Sequence, residues 1–231
     1  MDRILQEVEV LRINGGCVKT TERIIKETTL SINVDGKHYA TAMIMADKEK
    51  EYVAGYLYTQ GVIRRAEDIV SLTIADDVAD VRLKFGARKP DFTGVHSPLF
   101  VTPDDIFACL KAILKSPIFT ETEAVHSAGL FFKGKEPVGI AEDLGRHNAL
   151  DKAIGCGVFQ YIDFRRTLAV STGRLPTEMI FKCIQANIPI IASKGVPTSL
   201  GVEIAEKSGI TLVGLARGTK MFVYSHPERI K

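Results

Sequence analysis

Thr167-Leu168-Ala169-Val170-Ser171, Ile188-Pro189-Ile190-Ile191-Ala192-Ser193 and Ile210-Thr211-Leu212-Val213-Gly214-Leu215 are short and almost wholly apolar. Two stretches with helical spacing, 176–187 and 198–208, lie between them, and Gly209 closes the second. Runs this apolar read as strands covered on both faces. Strands alternating with helices of this length imply a parallel sheet with right-handed crossovers. A strand at 221–225 should end that sheet. Upstream, 127–132 and 137–141 flank Lys133-Gly134-Lys135 as a hairpin, and a helix follows at 146–155. The C-terminal half is therefore expected to be α/β, with a β-α-β-α-β order.

The first third reads as strands. Residues 9–13 alternate, and so do 30–34, which run into Asp35-Gly36, a type I′ hairpin signal with its return strand at 37–45. A helix is expected at 48–60, capped by Asp47 and ended by Gly61. Strands fit 69–75 and 78–85. The stretch 86–102 holds Pro90, Gly94 and Pro98 and no periodic pattern, which suggests a boundary. The division is a β-rich N-terminal subdomain, 1–101, and an α/β domain, 102–231, able to pack as one unit. Thr102-Pro103-Asp104-Asp105 opens the second part with a helix start, Ile106, Leu110, Ile113 and Leu114 form its apolar stripe, and Pro117 should stop it.

Composition limits the function. The 231 residues carry 30 basic and 28 acidic side chains, a net charge of +2, so no overall field recruits nucleic acid or an anionic membrane. Any anion site must be local. The four cysteines, Cys17, Cys109, Cys156 and Cys183, form no close pair, which argues against a zinc ribbon, a cluster of iron and sulfur, or a local redox pair, and suits a reducing compartment. No apolar run is long enough for a signal peptide or a membrane helix, so a cytoplasmic protein is expected.

Ligands of open α/β sheets bind beyond the carboxyl ends of the strands. Three segments fall there: Ser171-Thr172-Gly173-Arg174, Ser193-Lys194-Gly195 and Ala216-Arg217-Gly218-Thr219-Lys220. Each joins a glycine, which lets backbone approach a ligand, to a cation. Any one of them is equally compatible with a lysine or arginine reaching into solvent. Together they predict an anion site. The densest polar run, Glu142-Asp143-Leu144-Gly145-Arg146-His147-Asn148-Ala149-Leu150-Asp151-Lys152, sits at a strand-to-helix junction with donors in the first turn. Read alone, it is as much an acidic cap on a surface helix. His126 opens a strand and is either structural or an acid–base group.

That eleven-residue run resembles the signature of the formate dehydrogenase accessory protein family (FdhD, a sulfurtransferase family). Tyr52-Val53-Ala54-Gly55-Tyr56-Leu57, Gln60-Gly61-Val62-Ile63, His126-Ser127-Ala128, Ser171-Thr172-Gly173-Arg174 with Glu178, Met179 and Lys182, Pro197-Thr198-Ser199-Leu200 and 209–224 are similar to its other motifs. The resemblance implies a cytidine-deaminase-like fold, a homodimer and a cytoplasmic role. It implies sulfur carriage from a cysteine desulfurase to the molybdenum cofactor, bis(molybdopterin guanine dinucleotide), which formate dehydrogenase then receives. GDP would mimic that ligand. The residues expected to hold it are His126, Gly145, Arg146, His147, Asn148, Asp151, Lys152, Ser171, Gly173, Arg174, Lys194, and Leu215, Ala216, Arg217, Gly218, Thr219 and Lys220. No resident metal is expected.

The chain departs from the family in one respect. Members that transfer sulfur carry Cys-x-x-Cys before the helix at Thr102. Here the stretch reads Thr93-Gly94-Val95-His96-Ser97-Pro98-Leu99-Phe100, and a persulfide needs a thiolate. Of the four cysteines, Cys156, between two glycines, is expected to be the most accessible. Two alternatives stand beside cofactor binding with sulfur transfer. One is a non-catalytic chaperone of the cofactor or the enzyme. The other is a zinc deaminase, whose chemistry needs His-x-Glu and Pro-Cys-x-x-Cys, whereas Ala128 occupies the glutamate position.

Overall fold

The protein is described from a computed structural model covering residues 3–87, 94–115 and 117–231. The three apolar runs form β9 (Thr167–Ser171), β10 (Ile190–Ser193) and β11 (Thr211–Arg217), and they pair in parallel. They occupy the middle of a six-stranded sheet. β7 (His126–Phe132) runs antiparallel beside β9, and β8 (Glu136–Asp143) returns from it as a hairpin. β12 (Lys220–Ser225) closes the other edge against β11. Helices α4 (Arg146–Phe159), α5 (Thr177–Ala186) and α6 (Ser199–Ser208) connect these strands. Every residue of β9 and β10 is buried, as their composition requires.

The opposite face of this sheet is covered by α2 (Pro103–Ile113). Its stripe of Ile106, Cys109, Leu110 and Ile113 packs with Leu168, Val170, Ile190 and Val213. Thr102 caps α2, as its sequence predicts, and the structure adds a full capping box with Asp105.

The N-terminal half supplies a four-stranded sheet, in the order β4 (Lys37–Ile44), β3 (Thr28–Val34), β6 (Val78–Leu83), β5 (Ile69–Ala75). Asp35 and Gly36 both have positive φ, 50° and 75°, which makes the β3–β4 turn type I′. Helix α1 (Glu49–Thr59) lies between this sheet and α4. Its contact with α4 is backbone to backbone. A Cβ on Gly55 would fall 1.8 Å from the Asp151 carbonyl oxygen, and one on Gly155 would fall 1.8 Å from that of Glu51. A single apolar cluster runs from Leu30, Ile32 and Val81, through Tyr52 and Leu57, to Ala153, Ile154, Met179 and Leu212. It therefore joins the segments on either side of residue 101.

Several local expectations are corrected. Residues 17–25, to which the sequence reading assigns no element, form β2 (Cys17–Ile25), which pairs with β1 (Leu5–Ile13) in a separate two-stranded ribbon. Pro117 does not end α2, which stops at Ile113. It begins a short helix, α3 (Pro117–Thr122), in keeping with proline at a first helical position. Asp47 does not cap α1. The N-cap is Lys48 in the left-handed region with no side-chain hydrogen bond. The chain there is held instead by distant groups: Met45 N–H donates to Asp143 Oδ2 at 3.0 Å, and Lys152 Nζ donates to the Met45 carbonyl at 2.9 Å. Pro90 and Thr93, within the proposed boundary segment, lie outside the described residues.

Candidate functional site

The turns after β9, β10 and β11 meet at the carboxyl edge of the sheet. Lys194 N–H donates to Ser171 O at 3.3 Å, and Leu215 N–H donates to Gly195 O at 2.8 Å. Arg217 Nε donates to Lys194 O at 2.9 Å. Buried Ser193 ties the first two turns together, its Oγ donating to Ser171 O at 2.8 Å and bonding to Gly173 O. Ser171 Oγ accepts from Gly173 N–H, so Ser171 shapes the turn from inside. Gly195 is required here, since a Cβ on it would stand 2.4 Å from Gly173 O.

Near the end of β11 the backbone is strained. Leu215 has φ of 51°, within a bulge between Gly214 and Arg217. A bulky residue in the left-handed region costs about 1–3 kcal/mol and persists where surrounding structure enforces it. The bulge leaves Ala216 buried and turns Arg217, Gly218, Thr219 and Lys220 outward.

A cavity of about 460 Å³ opens at this edge, bordered by His126, Leu144, Thr172, Lys194 and Arg217. His126 Nδ1 lies 3.4 Å from Thr172 Oγ1. Arg146 lies over Gly173, where a Cβ would come within 2.8 Å of the arginine Cδ. Its buried Nε has no hydrogen-bond partner. Buried donors without partners are rare in folded proteins, and this one stands among cations. Arg174 and Lys194 form no ion pair among the described residues. Glycine-lined backbone, an orphaned guanidinium N–H and several uncommitted cations fit a large anion with phosphate groups.

The polar run at the start of α4 divides between this cleft and the interior. Gly145 is the N-cap of α4. Asp143 is wholly buried and accepts from Met45 N–H, Gly145 N–H, Asn148 Nδ2 and Lys152 Nζ, the last at 2.7 Å. Lys152 is 0% exposed, and its ammonium also donates to Met45 O and Glu142 O. Asp151 is buried too, paired with Lys182 at 2.7 Å and bonded by Thr59 Oγ1 at 2.8 Å. Lys152 therefore has all its donors committed inside the fold. Asn148 is held with both amide hydrogens on Met43 O and Asp143. Buried charges are tolerated when paired and hydrogen-bonded in this way.

His147 faces elsewhere, into a second cavity of about 510 Å³ among α1, α4 and α5. Tyr56, Gln60, Glu178, Phe181 and Lys182 border it with His147 and Asp151. Residue reading alone did not single out Tyr56, Gln60 or Phe181 for a site. Lys182 carries one usable signal, since it is a charged residue beside Met179, Ile180 and Cys183 on a buried helix face.

Burial lowers the pKa of both His126 and His147, and the nearby Arg146 guanidinium lowers it further. Both are therefore neutral near pH 7. The folded state binds fewer protons than the unfolded chain below the ordinary value of 6.5. The stability they contribute is complete above that value and is lost as the pH falls through the interval down to the depressed folded values. Urea unfolding at pH 7.5 and pH 5.5 is expected to show lower stability at the acid end, with part of the difference removed by His126→Gln.

Three of the four thiols are poorly placed for sulfur chemistry. Burial pushes Cys109 and Cys183 up to about 12 and raises Cys156 as well. The Cys156 side chain is half-buried and packs beside Gly139, so the expectation that it is the most accessible thiol fails. Cys17, at the start of β2, is the exposed one. The described part of the loop before α2 lies at the opposite edge of the sheet from the cation cleft. Val95 N–H donates to Ser208 O, and Ser97 Oγ donates to Arg165 O, next to the amino ends of β11 and β9. Among the described residues no three His, Cys, Asp or Glu side chains group to hold a metal, and no helix is long and apolar enough to cross a membrane.

Comparison with known proteins gives one consistent result. The FdhD/NarQ family model matches residues 25–93 and 89–231. "Sulfur carrier protein FdhD" of Methanothermobacter thermautotrophicus is 32% identical, covering 98% of this chain and 99% of its own. The protein of the same name from Wolinella succinogenes is 30% identical, covering 99% of this chain and 90% of its own. The crystal structure of a putative formate dehydrogenase accessory protein from Desulfotalea psychrophila superposes with a TM-score of 0.87 at 29% identity. It covers 99% of this chain and 100% of the other.

Proposed function

The chain belongs to the FdhD/NarQ family, and from that premise we propose that it serves formate dehydrogenase maturation by binding the guanine-dinucleotide molybdenum cofactor. The observation that carries this reading is the convergence of His126, Arg146, Lys194 and Arg217 on the glycine-bearing turns at the carboxyl edge of the sheet, with the Arg174 charge close enough to lower the pKa of His126. The diphosphate of each dinucleotide arm meets cations and backbone N–H groups there. Arg146 supplies its orphaned Nε, and Arg174, Lys194 and Arg217 surround the anion. The molybdenum centre would supply the redox chemistry in the enzyme that receives it. This chain's part is to bind, orient and release.

The relatives are named sulfur carriers. In this chain the loop before α2 has no thiol, and burial keeps Cys109, Cys156 and Cys183 protonated. These two facts favour a chaperone of the cofactor over a persulfide carrier. The proposed setting is cytoplasmic, with formate dehydrogenase, a cysteine desulfurase and a second copy of the chain as partners, on a cytidine-deaminase-like scaffold.

GDP is the practical probe. The wild-type protein is expected to bind it, and Arg174→Ala or Arg217→Ala to weaken binding about tenfold each, the usual effect of losing one hydrogen bond to a charged group. Calorimetric titration reads this directly. Unchanged affinity in both variants would reject the site.

A further inference from the structure

Residues 226–231 form a C-terminal strap at the amino edge of the six-stranded sheet, away from the cation cleft. It begins directly after β12, at His226, whose φ of 48° lies in the left-handed region. A residue other than glycine stays there where its surroundings enforce it. Here both ring nitrogens are held. Nε2 lies 2.8 Å from the Glu206 carbonyl oxygen, in the last turn of α6, and Nδ1 lies 3.0 Å from Glu228 Oε1. Glu228 is ionised, since its own backbone N–H and His226 lower its pKa. A carbonyl oxygen and a carboxylate oxygen can only accept. Both contacts are therefore hydrogen bonds only when the ring carries two protons. The neutral ring has one N–H, and its other nitrogen would turn a lone pair toward an oxygen. A cation at this position also suits the carbonyl end of a helix.

The strap joins distant parts of the chain. Thr211 Oγ1, at the start of β11, donates to the His226 carbonyl at 2.7 Å and accepts from Arg229 Nη1 at 3.1 Å. Val101 N–H donates to Arg229 O at 3.0 Å, and Lys231 N–H donates to Val101 O at 3.0 Å. The Lys231 ammonium stands 3.4 Å from the centre of the Phe100 ring. The described part of the loop before α2, 94–101, thus hangs from the strap at one end. At the other it hangs from α6, through Val95 N–H on Ser208 O. His226 links these two supports. We propose that His226 is a proton-operated clasp: the imidazolium ties the strap to the end of α6 and so holds the loop before α2, and loss of its proton loosens strap and loop together.

The charged groups that face His226 are Glu206 of α6 and Glu228 of the strap. Arg229 Nη1 shares Glu228 at 4.0 Å, and beside the ring β11 and β12 contribute the uncharged Thr211 and Ser225. The Glu206 carbonyl, followed by the Glu228 carboxylate, raises the imidazole pKa above 6.5 against the partial burial that lowers it. The folded state therefore holds this proton more tightly than the unfolded chain. The stability it adds is complete below 6.5 and is lost as the pH rises through the raised folded value. That sign is opposite to the one for His126 and His147, so the clasp is read locally rather than from global unfolding.

Nuclear magnetic resonance of the full chain provides the test. The His226 ring should titrate above 6.5, and Glu228→Gln should bring it down toward that value. Exchange protection of the Val101 and Lys231 amides, corrected for the intrinsic effect of pH, should fall about tenfold as His226 loses its proton, the usual effect of losing one hydrogen bond to a charged group. Ala169 and Ile191, in the middle of the sheet, should keep their protection over the same interval. His96 lies on the same loop, so the dependence has to be assigned to a residue. His226→Gln should lower protection of Val101 and Lys231 at every pH and abolish its change with pH. A His226 ring titrating at or below 6.5, constant protection of both amides in the wild type, equal loss at Ala169 and Ile191, or a pH dependence that survives in His226→Gln would each overturn the proposal.

Discussion

Lys152→Met is expected to destabilise the protein by about 3–5 kcal/mol, the usual cost of removing one partner from a buried ion pair. Lys152 and Asp143 are both 0% exposed. The lysine donates to Asp143 Oδ2, Met45 O and Glu142 O. Methionine fills much of the volume and supplies no donor, so the Asp143 carboxylate and two carbonyl groups lose their partner in an interior that water does not reach. The loss also unties residue 45 from the start of α4, and with it the entry into α1. Urea unfolding with an unchanged m-value and a lower midpoint would report this. A loss below about 1 kcal/mol would mean that the pair is not the tie described. The double variant Lys152→Met/Asp143→Asn should recover part of the loss, because it removes the stranded charge.

Gly155→Ala is the second large effect, and its sign is informative. In a loosely packed helix the change would stabilise by up to about 1 kcal/mol, since alanine is the better helix former. Here the new methyl would stand 1.8 Å from Glu51 O, a backbone atom that no rotamer change can move. Helices α1 and α4 would have to separate, at a cost above the roughly 1–3 kcal/mol usual for overpacking. At roughly 2–4 °C per kcal/mol for a chain of this size, the melting temperature should fall by about 6 °C or more. Thr59 on α1 and Asp151 on α4, joined by a 2.8 Å hydrogen bond, would part as well. An unchanged or raised melting temperature would contradict the close crossing.

The parallel strands were legible because burial on both faces leaves a run such as 168–171 little choice of residue type. The helix start at Thr102-Pro103 and the type I′ turn at Asp35-Gly36 were legible because their chemistry is local. β2 was not, because Cys17–Ile25 is a largely exposed ribbon strand that carries charges and no apolar alternation. The start of α1 was misread because Asp143 and Lys152, about a hundred residues away, hold it in place of Asp47. The cation cleft could be foreseen from one topological rule about strand ends. The division of the α4 run could not. Helical spacing places Arg146, His147, Asp151 and Lys152 within two turns, but only packing against α1 and β8 decides which face is interior. For the same reason the helix cavity, assembled from three helices distant in sequence, left no contiguous trace.

The most direct test of the account is a crystal structure of the protein with GDP. The diphosphate is expected against the turns after β9, β10 and β11, within hydrogen-bonding distance of Arg146, Lys194 and Arg217. A diphosphate bound at any other surface, or no bound GDP at saturating concentration, would contradict it.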